Sequence, residues 1–314
     1  MKRQLQDYML VTLKGIGMGA ADVIPGVSGG TIAFITGIYE ELLSSIKNLP
    51  VALKVLIASK FNLKLFWKTC NGNFLVSLLL GIGLSIVSLA KLMTYLLENY
   101  PIPVWSFFFG LILASVWFVL RDITEWKVPY FISLVLGIVA GYLITVISPS
   151  ETPDALWFIF LSGAVAICAM ILPGISGSFI LLLMGKYLYI LDALNNLNII
   201  VILTFAAGAI IGIISFSHFL SWLLKNYNFL TVSFLAGIMF GSLNKIWPWK
   251  VSVTGTDNLS GEIISFSEKN ILPSTYSEMT GFSSLVIYAI LMALVGFSII
   301  FIIDMAAAKM KKNQ

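Results

Sequence analysis

The run Pro25-Gly26-Val27-Ser28-Gly29 returns as Pro173-Gly174-Ile175-Ser176-Gly177, and both copies interrupt long apolar stretches. Proline removes a backbone donor and glycine loosens the chain, so a helix carrying this pair has to break. At the same offset of 148 residues, Gly15 falls on Gly163, Ala21 on Ala169, Gly37 on Gly185, Tyr39 on Tyr187 and Asn48-Leu49 on Asn196-Leu197. A second register, offset by 127, places Leu96-Leu97-Glu98-Asn99-Tyr100 on Leu223-Leu224-Lys225-Asn226-Tyr227. It also puts Gly81 on Gly208, Ser106-Phe107 on Ser233-Phe234 and Gly110 on Gly237. The chain therefore reads as two related halves, about 1–150 and 151–314.

The medium follows from composition. A mean hydropathy of +0.96, with 59% hydrophobic and 11% charged residues, excludes a soluble globule and implies a polytopic membrane protein. Lys2 and Arg3 are followed by Gln6, Asp7 and Lys14 rather than by an unbroken apolar run, so no cleavable signal is expected. Cys70 and Cys168 are too isolated to suggest a disulfide framework or a metal cage. No metal or other cofactor is expected, and the net charge of +4 is read against the membrane rather than as an affinity for nucleic acid.

Apolar stretches near 73–97, 103–120 and 129–148, then 199–224, 229–246 and 283–304, are long enough to cross a hydrocarbon core of about 30 Å. The broken elements differ from these. From Gly30 to Glu40 the helix would be only about 15 Å long, and the arm from Lys14 to Pro25 is similarly short. Each half therefore opens with a re-entrant helical hairpin, about 8–46 and 155–195, whose tip lies near mid-membrane. In the second copy Ala155 to Leu172 is long enough to span, which leaves that geometry open. The change of offset corresponds to a Lys-rich interfacial insert near 51–71, and a second, polar insert near 248–282 is expected to be exposed.

A hairpin plus three spans is an odd number of crossings, so the second half must be inverted relative to the first. The basic residues agree. With both termini cytoplasmic, the inner ends collect Lys2, Arg3, Lys14, Lys47, Lys54, Lys60, Lys64, Lys68, Arg121, Lys127, Lys225, Lys309, Lys311 and Lys312. The outside keeps only Lys91, Lys186, Lys245, Lys250 and Lys269, and the short external loop at Glu151 and Asp154 carries no Lys or Arg. The expected fold is thus an all-α polytopic membrane protein of two inverted-topology repeats, each a re-entrant hairpin plus three transmembrane helices.

In lipid, an interrupted helix is tolerated only where its freed backbone faces protein, water or a ligand. Gly26, Gly29 and Gly30 leave amides open, and Ser28 and Thr31 add hydroxyls at the start of a helix whose dipole favours an anion. Ser176, Gly177 and Ser178 repeat the arrangement. Two such tips meeting at a pseudo-two-fold axis would form a donor-rich pocket for a phosphate or carboxylate; the alternative is a packing kink between small residues. Asp22, three residues before Pro25 and matched by Met170, is either a proton or cation carrier or a carboxylate satisfied by neighbouring amides. Glu40, Lys91, Arg121 and His218 are supporting candidates, with capping, snorkelling and topology as their simpler roles.

A hydrolase reading has a motif of its own. Gly26-Val27-Ser28-Gly29 and its copy fit Gly-x-Ser-Gly, which resembles the nucleophile motif of rhomboid intramembrane proteases. Only His218 is available as a base for two equivalent serines, and there is no His-Glu-x-x-His, Asp-rich cluster or P-loop, so no catalytic residue and no enzyme activity are expected.

The run Gly15-Ile-Gly-Met-Gly-Ala-Ala-Asp22-Val-Ile-Pro25-Gly-Val-Ser28-Gly-Gly-Thr31, then Gly37-Ile-Tyr39-Glu40, with Pro173-Gly-Ile-Ser176-Gly later, resembles the bacterial polyprenyl-phosphate transporter family of the PopT type. The resemblance implies a substrate that composition and spacing do not reveal. It points to a flippase in the bacterial cell membrane that returns undecaprenyl phosphate from the outer to the inner leaflet for cell-wall precursor synthesis. It also implies that Ser28, Gly29, Gly30, Thr31, Ser176 and Gly177 hold the phosphate, with polyprenyl phosphate and membrane lipids as the partners. Phe179 stands where Thr31 stands in the first copy, so the tips need not contribute equally. A secondary transporter of a small anion would use the same pocket and is the main rival.

Overall fold

The computed structural model describes residues 5–23, 27–121, 123–147, 152–256 and 263–312. Pro25 and Gly26 of the first motif, with Lys2, Arg3 and Glu151, lie outside the described residues. The first half contains α1 (Leu5–Asp22), α2 (Gly29–Ile35), α3 (Tyr39–Lys47), α4 (Leu49–Ala58), α5 (Leu63–Thr69), α6 (Gly72–Asn99), α7 (Pro101–Leu120) and α8 (Val128–Val146). The second contains α9 (Leu156–Ile171), α10 (Gly177–Leu183), α11 (Tyr187–Asn195), α12 (Ile199–Asn226) and α13 (Asn228–Ser242). It then adds a ribbon of β1 (Lys250–Thr256) and β2 (Ile263–Asn270), followed by α14 (Pro273–Thr280) and α15 (Val286–Lys312). The protein is an all-α polytopic membrane protein, and the ribbon lies outside its apolar helices. Helices α6, α7, α8 and α12 are each long and apolar enough to cross a bilayer alone.

Several sequence boundaries need correction. The arm read as beginning at Lys14 is the second half of α1, an 18-residue helix about 27 Å long. Lys14 does not end it, because its ammonium reaches across to the Thr36 carbonyl at 2.7 Å and satisfies the C-terminus of α2. The stretch from Gly30 to Glu40 is not one arm either. Gly37, at φ +70°, closes α2, and α3 starts anew at Tyr39. Its matched residue Gly185, at φ +63°, separates α10 from α11, which bend by 106°.

The segment expected to span 229–246 stops as a helix at Ser242, and residues 243–246 form a turn. Asn244 holds that turn, donating to Thr145 Oγ1 at 2.8 Å and accepting from Asn270 Nδ2 through its side-chain oxygen at 2.9 Å. The insert near 51–71 folds into α4 and α5 with an exposed apolar row at Val51, Leu53, Ile57, Phe61 and Leu63, as an interfacial segment would. The insert near 248–282 is not wholly exposed: Trp249 is buried among Ile102 and Ala289.

Four helix pairs build the body. Helix α1 packs on α6 and α9 on α12 within each half, whereas α8 packs on α13 and α7 on α15 across the halves. Each seam is closed by small residues. Gly15 and Gly81 face each other between α1 and α6, and Gly163 and Gly208 lie at the α9–α12 seam, each of the latter against backbone of the opposite helix. Gly137 and Gly141 meet Gly237 and Gly241, while Gly110 and Gly296 lie at the α7–α15 seam. A methyl group at any of these positions would enter the neighbouring backbone, which is the contact that drives helix association where hydrophobicity cannot. Gly15 and Gly163, matched at offset 148, thus both lie at helix seams, as do Gly81 and Gly208, and Gly110 and Gly237, matched at offset 127.

Candidate functional site

The two broken elements meet in the interior. Val27, Ser28 and Thr31 are fully buried, and Val27 packs in one cluster with Ile112 of α7 and Met239 of α13. Gly174 of the other break lies against Met239 and Ser242 of the same α13. Both tips therefore rest on one helix.

Their contact is a set of hydrogen bonds between the halves. A helix ended by Pro173 leaves its last carbonyls without partners, and such groups are costly in an apolar setting. Ser28 Oγ lies 3.3 Å from the Met170 carbonyl and 3.1 Å from that of Leu172, donating toward them. Tyr39 Oη donates to the carbonyl of Ile171 at 3.1 Å. In return, the amide of Gly174 donates to Thr31 Oγ1 at 2.9 Å. The first half thus caps the end of α9 with three hydroxyl-bearing residues. Gly30 permits the approach, since a Cβ there would sit 2.5 Å from the Ile171 carbonyl oxygen.

The first tip is also satisfied from within. The amide of Gly29 donates to Asp22 Oδ1 at 2.7 Å, that of Gly30 to Ser28 Oγ at 3.1 Å and that of Thr31 to the Ser28 carbonyl at 3.0 Å. Asp22 supplies its own negative charge to the place where the sequence expects a bound anion. The expected open pocket at Ser28 and Thr31 is accordingly closed in this conformation, because their hydroxyls already serve the partner tip.

The second tip is less complete. Ser176 Oγ makes no capping bond and instead pairs with Ser178 Oγ at 2.8 Å. Ser178 is exposed, and Phe179 replaces the hydroxyl of Thr31. A cleft of about 10 Å³, room for a single water, runs beside this tip between Gly174, Ser176, Phe179, Ser242 and Lys245. Lys245 Nζ stands 4.7 Å over the Phe179 ring and 3.1 Å from Glu268 Oε2. In the sequence Lys245 stands only among the topological charges, its one signal being its position at the end of an apolar run, and Tyr39 is marked only by its match to Tyr187.

Larger cavities lie toward the two ends of α13. One of about 280 Å³ is lined by Phe34, Tyr39, Glu40, Phe118, Leu224 and Asn228. The other, of about 410 Å³, is lined by Phe109, Ile138, Tyr142, Phe240, Asn244 and Trp247. Of the supporting candidates, Glu40 is at the first cavity, and Arg121 stacks 4.0 Å over Phe118 beside it. Lys91 and His218 are exposed on α6 and α12, and His218 Nδ1 lies 2.8 Å from the Ile214 carbonyl of its own helix. Neither tip serine has His218 among its hydrogen-bond partners, so the pair a serine hydrolase needs is not assembled.

With this geometry in place, the comparisons with known proteins are specific. The family described as VCA0040-like, undecaprenyl phosphate translocase-like, matches residues 18–264. The chain belongs to this family. A polyprenyl-phosphate transporter of Vibrio cholerae serotype O1 is 46% identical over 310 residues, covering 98% of this chain and all of the relative. A polyprenyl-phosphate transporter of Staphylococcus aureus is 31% identical over 254 residues, covering 75% of this chain and 85% of the relative. Both relatives are named as transporters, which places the chain with transporters rather than enzymes. No solved structure matches the chain significantly.

Proposed function

We propose that this protein translocates undecaprenyl phosphate across the bacterial cell membrane, from the outer to the inner leaflet, by alternating access between two inverted repeats of about 1–150 and 151–314. The observation that carries the reading is the mutual capping of the two broken helices by Ser28, Thr31, Tyr39 and Gly174. A helix break in lipid persists where it has a task, and here the breaks of both halves face each other. Family membership and the transporters named above supply the substrate class.

On this reading the structure is an occluded state. Opening toward either leaflet separates the tips, and the phosphate replaces the lost protein partners with its own oxygens and hydroxyl, bound at Ser28, Gly29, Gly30, Thr31, Ser176, Gly177 and Ser178. The isoprenoid tail remains in lipid throughout. The membrane potential opposes inward movement of an anion, so inward return needs a coupled gradient or consumption of the product. Asp22 is the proposed proton carrier, since protonation weakens its hold on the Gly29 amide. Both termini are cytoplasmic in this arrangement, following the basic residues.

The test is leaflet exchange of a fluorescent polyprenyl phosphate in liposomes containing the purified protein. The wild type should exchange it, and a folded Ser28→Ala/Ser176→Ala variant should lose most of that exchange. Absence of exchange by the wild type under a pH gradient and under potentials of both signs would overturn the lipid assignment.

A further inference from the structure

Beyond the tips, one group of charges gathers where the end of α13 meets the β ribbon. Lys245 and Lys250 converge on a single carboxylate, Glu268 of β2, with Nζ–Oε2 distances of 3.1 and 3.4 Å. Lys250 is almost covered, its ammonium donating to the Lys245 carbonyl and lying 4.1 Å over the Trp105 ring. Burial lowers the Lys250 pKa to about 8, with Glu268 opposing that shift and Lys245 reinforcing it. Burial pushes Glu268 up, but the two ammonium groups outweigh it and hold the carboxylate below its usual range. Among the described residues, two buried or half-buried cations share one partly exposed carboxylate, and the positive excess is unfavourable to bury without a further anion.

Two neighbours of this cluster point to the kind of anion. Lys245 lines the cleft with Gly174 and Ser176, so one of the cations touches the less complete tip. Next to it, Asn244 and Trp247 form the rim of the 410 Å³ cavity, whose other walls include Phe109, Ile138, Tyr142 and Phe240. The cations sit on the same turn and ribbon whose Asn244, Trp247 and Asn270 line this aromatic and aliphatic cavity, a neighbourhood that suits a molecule with an anionic head and an apolar chain. Neither feature alone would select one.

We infer that Lys245 and Lys250 form a receiving site for the phosphate of a polyprenyl phosphate, that its first isoprenoid segment occupies the cavity beneath Trp247, and that Glu268 holds the lysines until the phosphate displaces it. This inference rests on the function proposed above and adds a binding step at the end of α13 that the positive-inside reading puts outside. Ser176 of the second tip lines the same narrow cleft as Lys245, so widening of that cleft would pass the head group to the tips. The β ribbon, an insert with no counterpart in the first half, then acts as the carrier of a competing carboxylate.

The test measures binding of farnesyl monophosphate, farnesol and inorganic phosphate to the full-length protein in detergent. Wild type should bind farnesyl monophosphate at least about tenfold more tightly than either part alone, since head and chain contribute together. Lys245→Gln/Lys250→Gln should weaken it about tenfold or more, and Glu268→Gln should tighten it several-fold by removing the competitor. Lys245→Arg/Lys250→Arg should restore binding, which a fold defect would not allow. Farnesyl monophosphate affinities for the Gln variants within about twofold of wild type would overturn the inference. Inorganic phosphate binding as tightly as farnesyl monophosphate would overturn the role given to the cavity. Exchange by wild type with unchanged binding in the variants would refute this site alone; binding without any exchange would refute the translocase reading instead.

Discussion

The two motifs are nearly identical in sequence and differ in what surrounds them. At the first tip each amide from Gly29 to Thr31 has a partner, Ser28 and Thr31 reach the opposite half, and Asp22 occupies the anion position. At the second, Ser176 caps nothing, Ser178 is exposed, Phe179 replaces a hydroxyl, and Lys245 stands beside a narrow cleft. On the proposed function, the first break is the lock and the second the threshold. In that proposal the carboxylate of Asp22 holds the Gly29 amide when no substrate is present, and the cation of Lys245 attracts what enters.

The largest way to break this asymmetry is Gly30→Val. Its side chain would enter the Ile171 and Met170 carbonyls of the opposite tip, so exchange should fall at least about tenfold and stability by about 1–3 kcal/mol. Gly177→Ala meets mainly the Ala166 carbonyl within its own half and should spare more of the exchange. Parallel liposome assays and detergent melts check both. Next, Thr31→Val would leave the buried Gly174 amide without its acceptor, costing about 1–3 kcal/mol in thermal or denaturant unfolding.

Asp22→Asn sharpens the comparison differently. It keeps an acceptor for the Gly29 amide while removing the titrating charge, so the fold should persist and an imposed pH gradient should no longer drive exchange. Retention of the wild-type pH response would remove Asp22 from the coupling role. The smallest effect concerns the threshold. Lys250, with a pKa of about 8, loses its charge as pH rises through that value, so affinity for farnesyl monophosphate should decline between about pH 7 and 9. Among the described residues, the charged groups facing it are Lys245 and Glu268, and the decline should flatten in Lys250→Gln.

Much of this was legible in the sequence because membranes punish irregular backbone. Apolar length gave the helices, and the Pro-Gly pairs gave the breaks. Gly81 and Gly208, matched in the sequence, both lie against the backbone of a neighbouring helix. What stayed hidden depended on contacts between distant segments. Lys14 looked like a membrane boundary, and only the fold shows its ammonium capping α2 at Thr36. Ser28 read as a free donor, yet its partners are carbonyls more than 140 residues away. Lys245, Lys250 and Glu268 come together only because the β ribbon folds back on the end of α13, and no local pattern announces that.

The central claim is that the tips must part for the substrate to cross. With the free Cys70 and Cys168 replaced by serine, an Ala33→Cys/Ile171→Cys protein, changed at two residues of one buried cluster that spans α2 and α9, can be joined across the tips by oxidation or a short bifunctional reagent. Leaflet exchange of fluorescent polyprenyl phosphate should stop when the link is formed and return when an oxidised link is reduced. Exchange that continues at the wild-type rate through the linked protein would show that the lipid crosses by another route.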